Sequence, residues 1–457
     1  MPPNVVFIMA DDMGYGDFGV FSEGRCRTPT IDRLVAEGTC LTQHYSAAPV
    51  CTPARAGFLT GRYPIRTGGI DMRETRGLDR IAVRERTIAD CFRRAGYKTG
   101  LVGKWHNGAF DPQYHPNARG FDEFVGFRNG LMNYYDWRIE KNGRRMQPDG
   151  RYLTDVFADA AVDFIDRNRA IPFFLDVAFN APHTPLEVPQ DEVAPYRCDR
   201  WNEKVATIYA MVTRMDRGIA RLIEALEKAG IADNTIVCFT SDNGPAMYEE
   251  MERFNCNFNG GKGHVYEGGI RVPMILRWPD GLAKGAHFDQ LVHYCDWLPT
   301  LLAAAGATAP PELAIDGVNV LPALQGKADW LSPKRFWQWS RYAPTLESNA
   351  AMRDGKWKLL RPMLKQANWT SPVEMAIDRK LLIDPHAVDR SWLGQPFPAR
   401  TLPPAAPWEL YDLDADPGET RNVAGAHPAL VQRMAGELEE WFASVERDRT
   451  SIAGMPR

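Results

Sequence analysis

No stretch of this 457-residue sequence supplies the roughly 20 consecutive apolar residues that a membrane-spanning helix needs. Nor is there an excess of positive charge: 54 Lys and Arg stand against 58 Asp and Glu, a formal net charge of −4. A nucleic-acid binder shows a basic stripe or a basic excess, so that class is excluded. Cysteine is sparse, with 8 scattered residues: Cys26, Cys40, Cys51, Cys91, Cys198, Cys238, Cys256 and Cys295. None forms a CxxC pair or stands at zinc spacing from a histidine. A chain of this length needs no disulfide staples, so mostly reduced thiols are expected. The opening residues MPPNVVFIMADD run straight into an apolar segment, without a basic leader or a long apolar core. A cytoplasmic location is therefore expected. Internal repeats and low-complexity tracts are absent too. With 44% hydrophobic and 25% charged residues, what remains is an enzyme-sized globular chain that touches neither membrane nor nucleic acid.

Four short apolar, β-branched runs read as buried strands: Asn4 to Met9, Lys98 to Gly103, Pro172 to Phe179 and Asn234 to Thr240. Helical patterns lie between them. In Glu203 to Ala229, Val205, Ile208, Val212, Met215, Ile219, Leu222 and Leu226 recur at helical spacing, and Gly230 follows as a C-terminal cap. Thr87 to Ala95 has the same character. Continuous apolar strands alternating with helices predict an α/β fold whose sheet is covered on both faces.

The residues just beyond those strands carry chemistry. Asp11 and Asp12 follow the first, Lys104, Trp105 and His106 the second, Asn180 and His183 the third, Asp242 and Asn243 the fourth. Open α/β sheets bind ligands beyond the carboxyl ends of their strands, so these side chains are expected at one edge. From about Phe336 the texture changes to alternation, in FWQWSRY, Ala351 to Arg361 and Trp408 to Leu413. An amphipathic helix carrying Leu430, Met434, Leu438, Trp441, Phe442 and Val445 closes the chain. Two domains are expected: an α/β domain over 1–340 and a small α+β domain over 341–457 with an antiparallel sheet.

Cys51 opens the pentapeptide Cys51-Thr52-Pro53-Ala54-Arg55. Thr52 suits an N-cap and Pro53 the first helical position, which puts Cys51 at a helix N-terminus. Free N–H groups there favour an anion, and Arg55 adds a partner for an oxyanion. Asp11, Asp12, Asp242 and Asn243 offer only oxygen ligands, a set that suits Ca²⁺ or Mg²⁺ rather than zinc or copper.

Cys-x-Pro-x-Arg followed by Gly61-Arg62-Tyr63-Pro64 resembles the signature of the type I sulfatases. Further blocks match in order: Asp11-Asp12, Gly103-Lys104-Trp105-His106, Ser241-Asp242-Asn243-Gly244, Gly260-Gly261-Lys262, Tyr266 to Gly269, and Glu409 to Leu413. The resemblance runs from about Asn4 to Asn422. It implies an alkaline-phosphatase-like fold with a large central mixed sheet, and hydrolysis of an aryl or carbohydrate sulfate monoester. It implies that a maturation enzyme oxidises Cys51 to formylglycine, whose hydrate is the nucleophile. It implies one divalent cation, usually Ca²⁺, on Asp11, Asp12, Asp242, Asn243 and the modified Cys51. Arg55, Lys104 and Lys262 are implied to stabilise charge on the sulfuryl group. His106 is the implied partner of the diol, with His183 and Lys262 facing the leaving oxygen. The hydrate offers an exit that serine lacks: deprotonating its second hydroxyl expels sulfate and restores the aldehyde.

The sequence departs from the commonest pattern at Asn107-Gly108, where Leu-Gly is usual, and no serine stands between Asn129 and Tyr135. Phosphonate monoester and phosphodiester hydrolases share the scaffold, but more often carry a histidine after the aspartate that matches Asp242. A sulfate-ester binder whose Cys51 is never oxidised is the non-catalytic alternative. The remaining candidates take structural roles: His44, His115, His264, His287, His293, His386 and His427, the basic helix face Arg84, Arg86, Arg93 and Arg94, and Trp337, Trp339, Trp357 and Trp408 as core. Tyr134, Tyr135, Trp137 and Arg138 are candidates for shaping a pocket, and Arg271 is expected to pair with Glu267.

Overall fold

The computed structural model describes residues 2–453 except 249, 310, 313, 384–389 and 394; His386 lies outside the described residues. The strands, in chain order, are β1 (Asn4–Ala10), β2 (Thr39–Leu41), β3 (His44–Tyr45), β4 (Lys98–Lys104), β5 (Glu123–Phe127), β6 (Ile139–Lys141), β7 (Arg144–Met146) and β8 (Phe173–Ala178). There follow β9 (Thr235–Ser241), β10 (Met274–Arg277), β11 (Ala286–Phe288), β12 (Val292–His293), β13 (Arg335–Gln338), β14 (Ala350–Asp354), β15 (Trp357–Arg361) and β16 (Glu409–Asp412).

The large sheet is ten-stranded, in the order β11-β2-β10-β9-β1-β8-β4-β5-β6-β7. Its centre, β9-β1-β8-β4-β5, is parallel, while β10, β6 and β7 run antiparallel to their neighbours on the inner side. The apolar runs read from sequence are these central strands. They lack polar alternation because both faces are covered. Val6, Ile8, Val177 and Phe239 pack under the helices Leu153–Asn168 and Glu203–Lys228. Val5, Phe7, Phe174 and Ile236 pack on the other face under Cys51–Thr60, Ile88–Arg94 and Trp297–Ala304. Asn202 caps the long helix by accepting from the Val205 N–H, and Thr87 caps Ile88–Arg94 by accepting from the Asp90 N–H. That helix begins at Ile88, so Arg93 and Arg94 lie on it, whereas Arg84 and Arg86 precede it.

The antiparallel sheet β13-β14-β15-β16 opens at Arg335 and is enclosed on both sides. Ala350, Met352, Leu359 and Leu410 face the helix Pro428–Thr450. Trp337, Ala351, Leu360 and Tyr411 face Tyr45, Val265 and Ile270 of the α/β body. The second contact braces the segment around Lys262. All eight cysteines are unpaired, and among the described residues no helix is long and apolar enough to cross a membrane.

Candidate active site

β1, β4, β8 and β9 are neighbours, and all end at the same edge of the sheet. Gly103 makes the approach of β4 to β8 possible: its φ is +111°, and a Cβ there would stand 2.0 Å from the Ala178 carbonyl oxygen. Asp11, Asp12, Lys104, His106, His183, Asp242 and Asn243 thereby converge, all buried. Cys51 is fully buried at the first position of its helix. The cap is Val50, not Thr52 as expected, and Pro53 is the third helical residue rather than the first, still in the first turn where a missing N–H costs nothing.

Charge is balanced pairwise. Lys104 Nζ donates to Asp11 Oδ2 at 2.6 Å, and Lys262 Nζ donates to Asp12 at 2.7 Å. Arg55 donates through Nε and Nη2 to Asp242 Oδ2, at 3.1 and 2.8 Å. Cys51 Sγ lies 3.4 Å from Asp11 Oδ1. Burial pushes the Cys51 thiol well up, and Asp11 and Asp242 push it the same way. Burial works against charge on Asp12, yet the Lys262 ammonium holds its carboxyl well below the usual range. Asp12 and His106 adopt φ of 66° and 51°, conformations that non-glycine residues avoid, so backbone strain is stored at this edge.

The donor set suits a hard cation. Asn243 Nδ2 donates to Asp12 Oδ1 at 2.8 Å, which turns Asn243 Oδ1 elsewhere; that oxygen is buried without a hydrogen-bond partner. Ligand atoms of Asp11, Asp12, Cys51 and His183 lie within 4.8 Å of one another. An orphaned amide oxygen beside clustered carboxylates fits a divalent cation. The His183 ring stands beside this cluster. Its Nδ1 lies 2.7 Å from the Thr184 carbonyl, which only accepts, so Nδ1 carries the hydrogen and Nε2 presents a lone pair. Nε2 is 3.7 Å from Asp12 Oδ2.

His106 is buried, and neither ring nitrogen has a hydrogen-bond partner. Burial, then Lys104 and Arg55, hold it neutral. Its nearest carboxylate is Glu74, with Oε1 3.4 Å from Nε2. Glu74 escaped sequence reading because its segment, Met72 to Arg76, has no periodicity. A cavity of about 390 Å³ opens on Cys51, His106, His183 and Lys262, and its outer wall includes Arg73, Arg341 and Trp339. Trp339 is buried as expected and also borders this cavity; Trp337 is core, its Nε1 donating to Ser46 O at 2.8 Å. Tyr134 is fully buried: its hydroxyl donates to Asn180 O and His183 O at 2.8 and 2.9 Å, bracing the His183 turn. Trp137 is buried, Arg138 pairs with Asp136 at 2.6 Å, and Arg271 pairs with Glu267 at 3.3 Å as expected. Asn107 packs against the Cys51 helix, its Nδ2 donating to Thr52 O at 3.1 Å.

Comparison with known proteins agrees with this geometry. Residues 3–307 match the family described as sulfatase. The chain belongs to the sulfatase family. It is a type I sulfatase chain of the alkaline phosphatase superfamily, with the large mixed sheet and the small antiparallel sheet expected of that fold. Residues 259–380 of this sulfatase match the C-terminal region of N-sulphoglucosamine sulphohydrolase. Human N-acetylgalactosamine-6-sulfatase is 37% identical over 357 residues, covering 71% of this chain and 66% of the relative, so the chain spans just under two thirds of that protein. An uncharacterized sulfatase of Escherichia coli strain K12, YdeN, is 30% identical over 97% of this chain and 86% of its own. The crystal structure of Ps i-CgsB in complex with k-i-k-neocarrahexaose superposes with a TM-score of 0.82 at 30% identity, covering 100% of this chain and 95% of that one.

Proposed function

We infer that this sulfatase hydrolyses sulfate monoesters of carbohydrates through a nucleophile derived from Cys51. One observation carries the inference: Cys51 stands at a helix start among Asp11, Asp12, Asp242 and Asn243, with Arg55, Lys104 and Lys262 each within hydrogen-bond reach of a carboxylate. A cation, Ca²⁺ or Mg²⁺, would be held by Asp11, Asp12, Asp242 and Asn243, and supplies Lewis-acid polarisation of a sulfate oxygen. Formylglycine, made from Cys51 by a maturation enzyme, supplies the attacking hydroxyl.

The protein's own side chains do the rest. Arg55, Lys104 and Lys262 are fixed before substrate arrives, so they stabilise charge on the sulfuryl oxygens without reorganising. His106, neutral and unpartnered, accepts a proton at a ring nitrogen. Lys262 and His183 border the cavity where the alcohol departs; the ammonium of Lys262 donates to the leaving oxygen. His183 is kept neutral by burial and by Lys262, its pKa pushed down to about 3. The carbohydrate preference draws on the galactosamine-sulfate relative, on the oligosaccharide complex of the structural neighbour, and on the Trp339 and Arg341 wall. Residues 1–340 carry the chemistry in this account, and 341–457 brace it.

Paired initial rates on a nitrophenyl sulfate and a nitrophenyl phosphodiester test the inference, once formylglycine at residue 51 is confirmed by peptide mass. Faster sulfate turnover supports it. Faster phosphodiester turnover assigns the chain to the phosphonate and phosphodiester hydrolases instead. Silence on both, extended to sulfated sugars, assigns it to non-catalytic binding.

A further inference from the structure

The carboxylate of Glu74 lies along one edge of the His106 ring. Its Oε1 is 3.4 Å from His106 Nε2, and the same oxygen accepts from Gly130 N–H at 2.7 Å. That gap is slightly longer than a formed hydrogen bond, and such bonds in active sites often tighten only when substrate binds. Gly130 is what allows the approach: a Cβ there would stand 2.6 Å from Cε1 and 2.7 Å from Nε2 of the ring.

Glu74 is buried, and the turn that carries it is held from several sides. Gly77 N–H donates to Glu74 O at 2.9 Å, and Leu78 N–H to Arg73 O at 3.2 Å. Arg76 anchors the turn outward, pairing with Glu374 and donating to Pro396 O at 2.8 Å. His106 is pinned in turn by its own N–H, which donates to Arg128 O at 3.2 Å. Burial pushes the Glu74 carboxyl up, while backbone N–H groups, Arg73 and Lys104 favour its charge. A carboxylate carried this far from water is costly unless something nearby uses it.

The ring beside it has a choice to make. Burial, Lys104 and Arg55 keep His106 neutral, so it carries a single ring hydrogen. The nitrogen that holds this hydrogen cannot accept another. A carboxylate only accepts, so a nitrogen facing Glu74 is favoured as the one that donates.

We propose that Glu74 is a positioning residue for His106: it holds the ring hydrogen on Nε2 and leaves Nδ1 as the proton acceptor. This rests on the sulfatase activity inferred above. His106 Nδ1 is buried without a hydrogen-bond partner, as an acceptor awaiting its donor would be. During the reaction the ring gains an N–H bond at Nδ1 as the hydroxyl at residue 51 gives up its proton. The positive charge this leaves on the ring faces Glu74, against the cations Lys104, Arg55 and Lys262 on its other sides. Glu74 touches no reacting atom; it acts through His106.

The test uses the full chain bearing formylglycine, with nitrogen-15 in its histidine rings. Nuclear magnetic resonance reads which ring nitrogen is protonated, and His106 is identified by the signals missing from His106→Gln. The expected result is hydrogen on Nε2 in the unsubstituted protein and a mixture of both forms in Glu74→Ala. Glu74→Gln, which keeps an acceptor oxygen, should keep the hydrogen on Nε2. Glu74→Ala should lower kcat about 100-fold and Glu74→Gln about 10-fold, with KM nearly unchanged. Hydrogen on Nδ1 in the unsubstituted protein, or on Nε2 alone in Glu74→Ala, overturns the positioning role. Equal losses in the two variants overturn it as well. Absence of turnover on every sulfate ester overturns the sulfatase reading alone, because the ring hydrogen is read without substrate.

Discussion

Asn349 grips the segment around Lys262 from both sides: its Nδ2 donates to Gly263 O at 2.8 Å, and its Oδ1 accepts from Val265 N–H at 3.0 Å. Asn349 stands just before β14, so the small sheet positions a cation that reaches Asp12 in the large domain. Lys262 N–H donates to Pro245 O and Gly263 N–H to Pro49 O, both at 2.8 Å, which ties the same segment to the Cys51 side.

Asn349→Ala removes that grip without touching the cavity. Activity should fall about 10–100-fold, as when a partner one contact behind a site is lost. The loss should appear mainly in kcat, and Asn349→Asp, which keeps the acceptor but not the donor, should recover part of it. Steady-state kinetics beside a melting curve separate this from simple unfolding.

Gly130 lies against His106. A Cβ there would approach His106 Cε1 to 2.6 Å and Glu74 Oε1 to 3.1 Å, and Gly130 N–H already donates to Glu74 Oε1 at 2.7 Å. Gly130→Ala should displace the imidazole and lower kcat by about 100-fold, the cost of a misplacement near 1 Å. Glu74→Gln keeps an oxygen for Gly130 N–H and should retain more activity than Glu74→Ala.

Much of this site was legible in the sequence because its residues follow continuous apolar strands, which single out β1, β4, β8 and β9 and hence the residues after them. The cysteine motif and the ordered family blocks supplied Cys51, Arg55 and Lys262. Glu74, Arg73 and Gly130 were not legible: they come from aperiodic loops, where position follows from tertiary contacts alone. Trp339 is buried as expected, but its place on the cavity wall was not legible, because it follows the end of β13 and its position depends on tertiary contacts. Asn349 was invisible for a related reason, since its partners in the Lys262 segment lie more than 80 residues away.

Asn243 provides the cleanest probe of the cation. Asn243→Ala deletes the buried, unpartnered Oδ1, and affinity for Ca²⁺ or Mg²⁺ should drop about 10–100-fold. The rise in melting temperature on titrating Ca²⁺ into chelator-treated protein reports this without reference to turnover. An undiminished rise in the variant would remove Asn243 from the ligand set.

Asp79 gives a pH-dependent stability. Its Oδ2 accepts from Gly108 and Ala109 N–H at 3.1 and 2.8 Å, while Oδ1 is buried without a partner. Burial, aided by Glu74, pushes its carboxyl from 3.8 up to about 7. Between those values the folded chain holds a proton that the unfolded chain releases, so this group's contribution to stability is lost as pH rises from about 4 to 7. Asp79→Asn mimics the protonated form. Its melting temperature relative to the unchanged protein should be higher at pH 8 than at pH 5, and an equal difference at both would refute the assignment.

The central claim is that a formylglycine at residue 51 performs sulfate-ester hydrolysis. The measurement that meets it most directly is turnover of a nitrophenyl sulfate across preparations whose formylglycine content, read by peptide mass, has been varied through the amount of maturation enzyme. The predicted result is a rate proportional to that content, passing through zero, with Cys51→Ala folded and inactive. Turnover that persists in protein with unmodified Cys51, or in Cys51→Ala, would contradict the account.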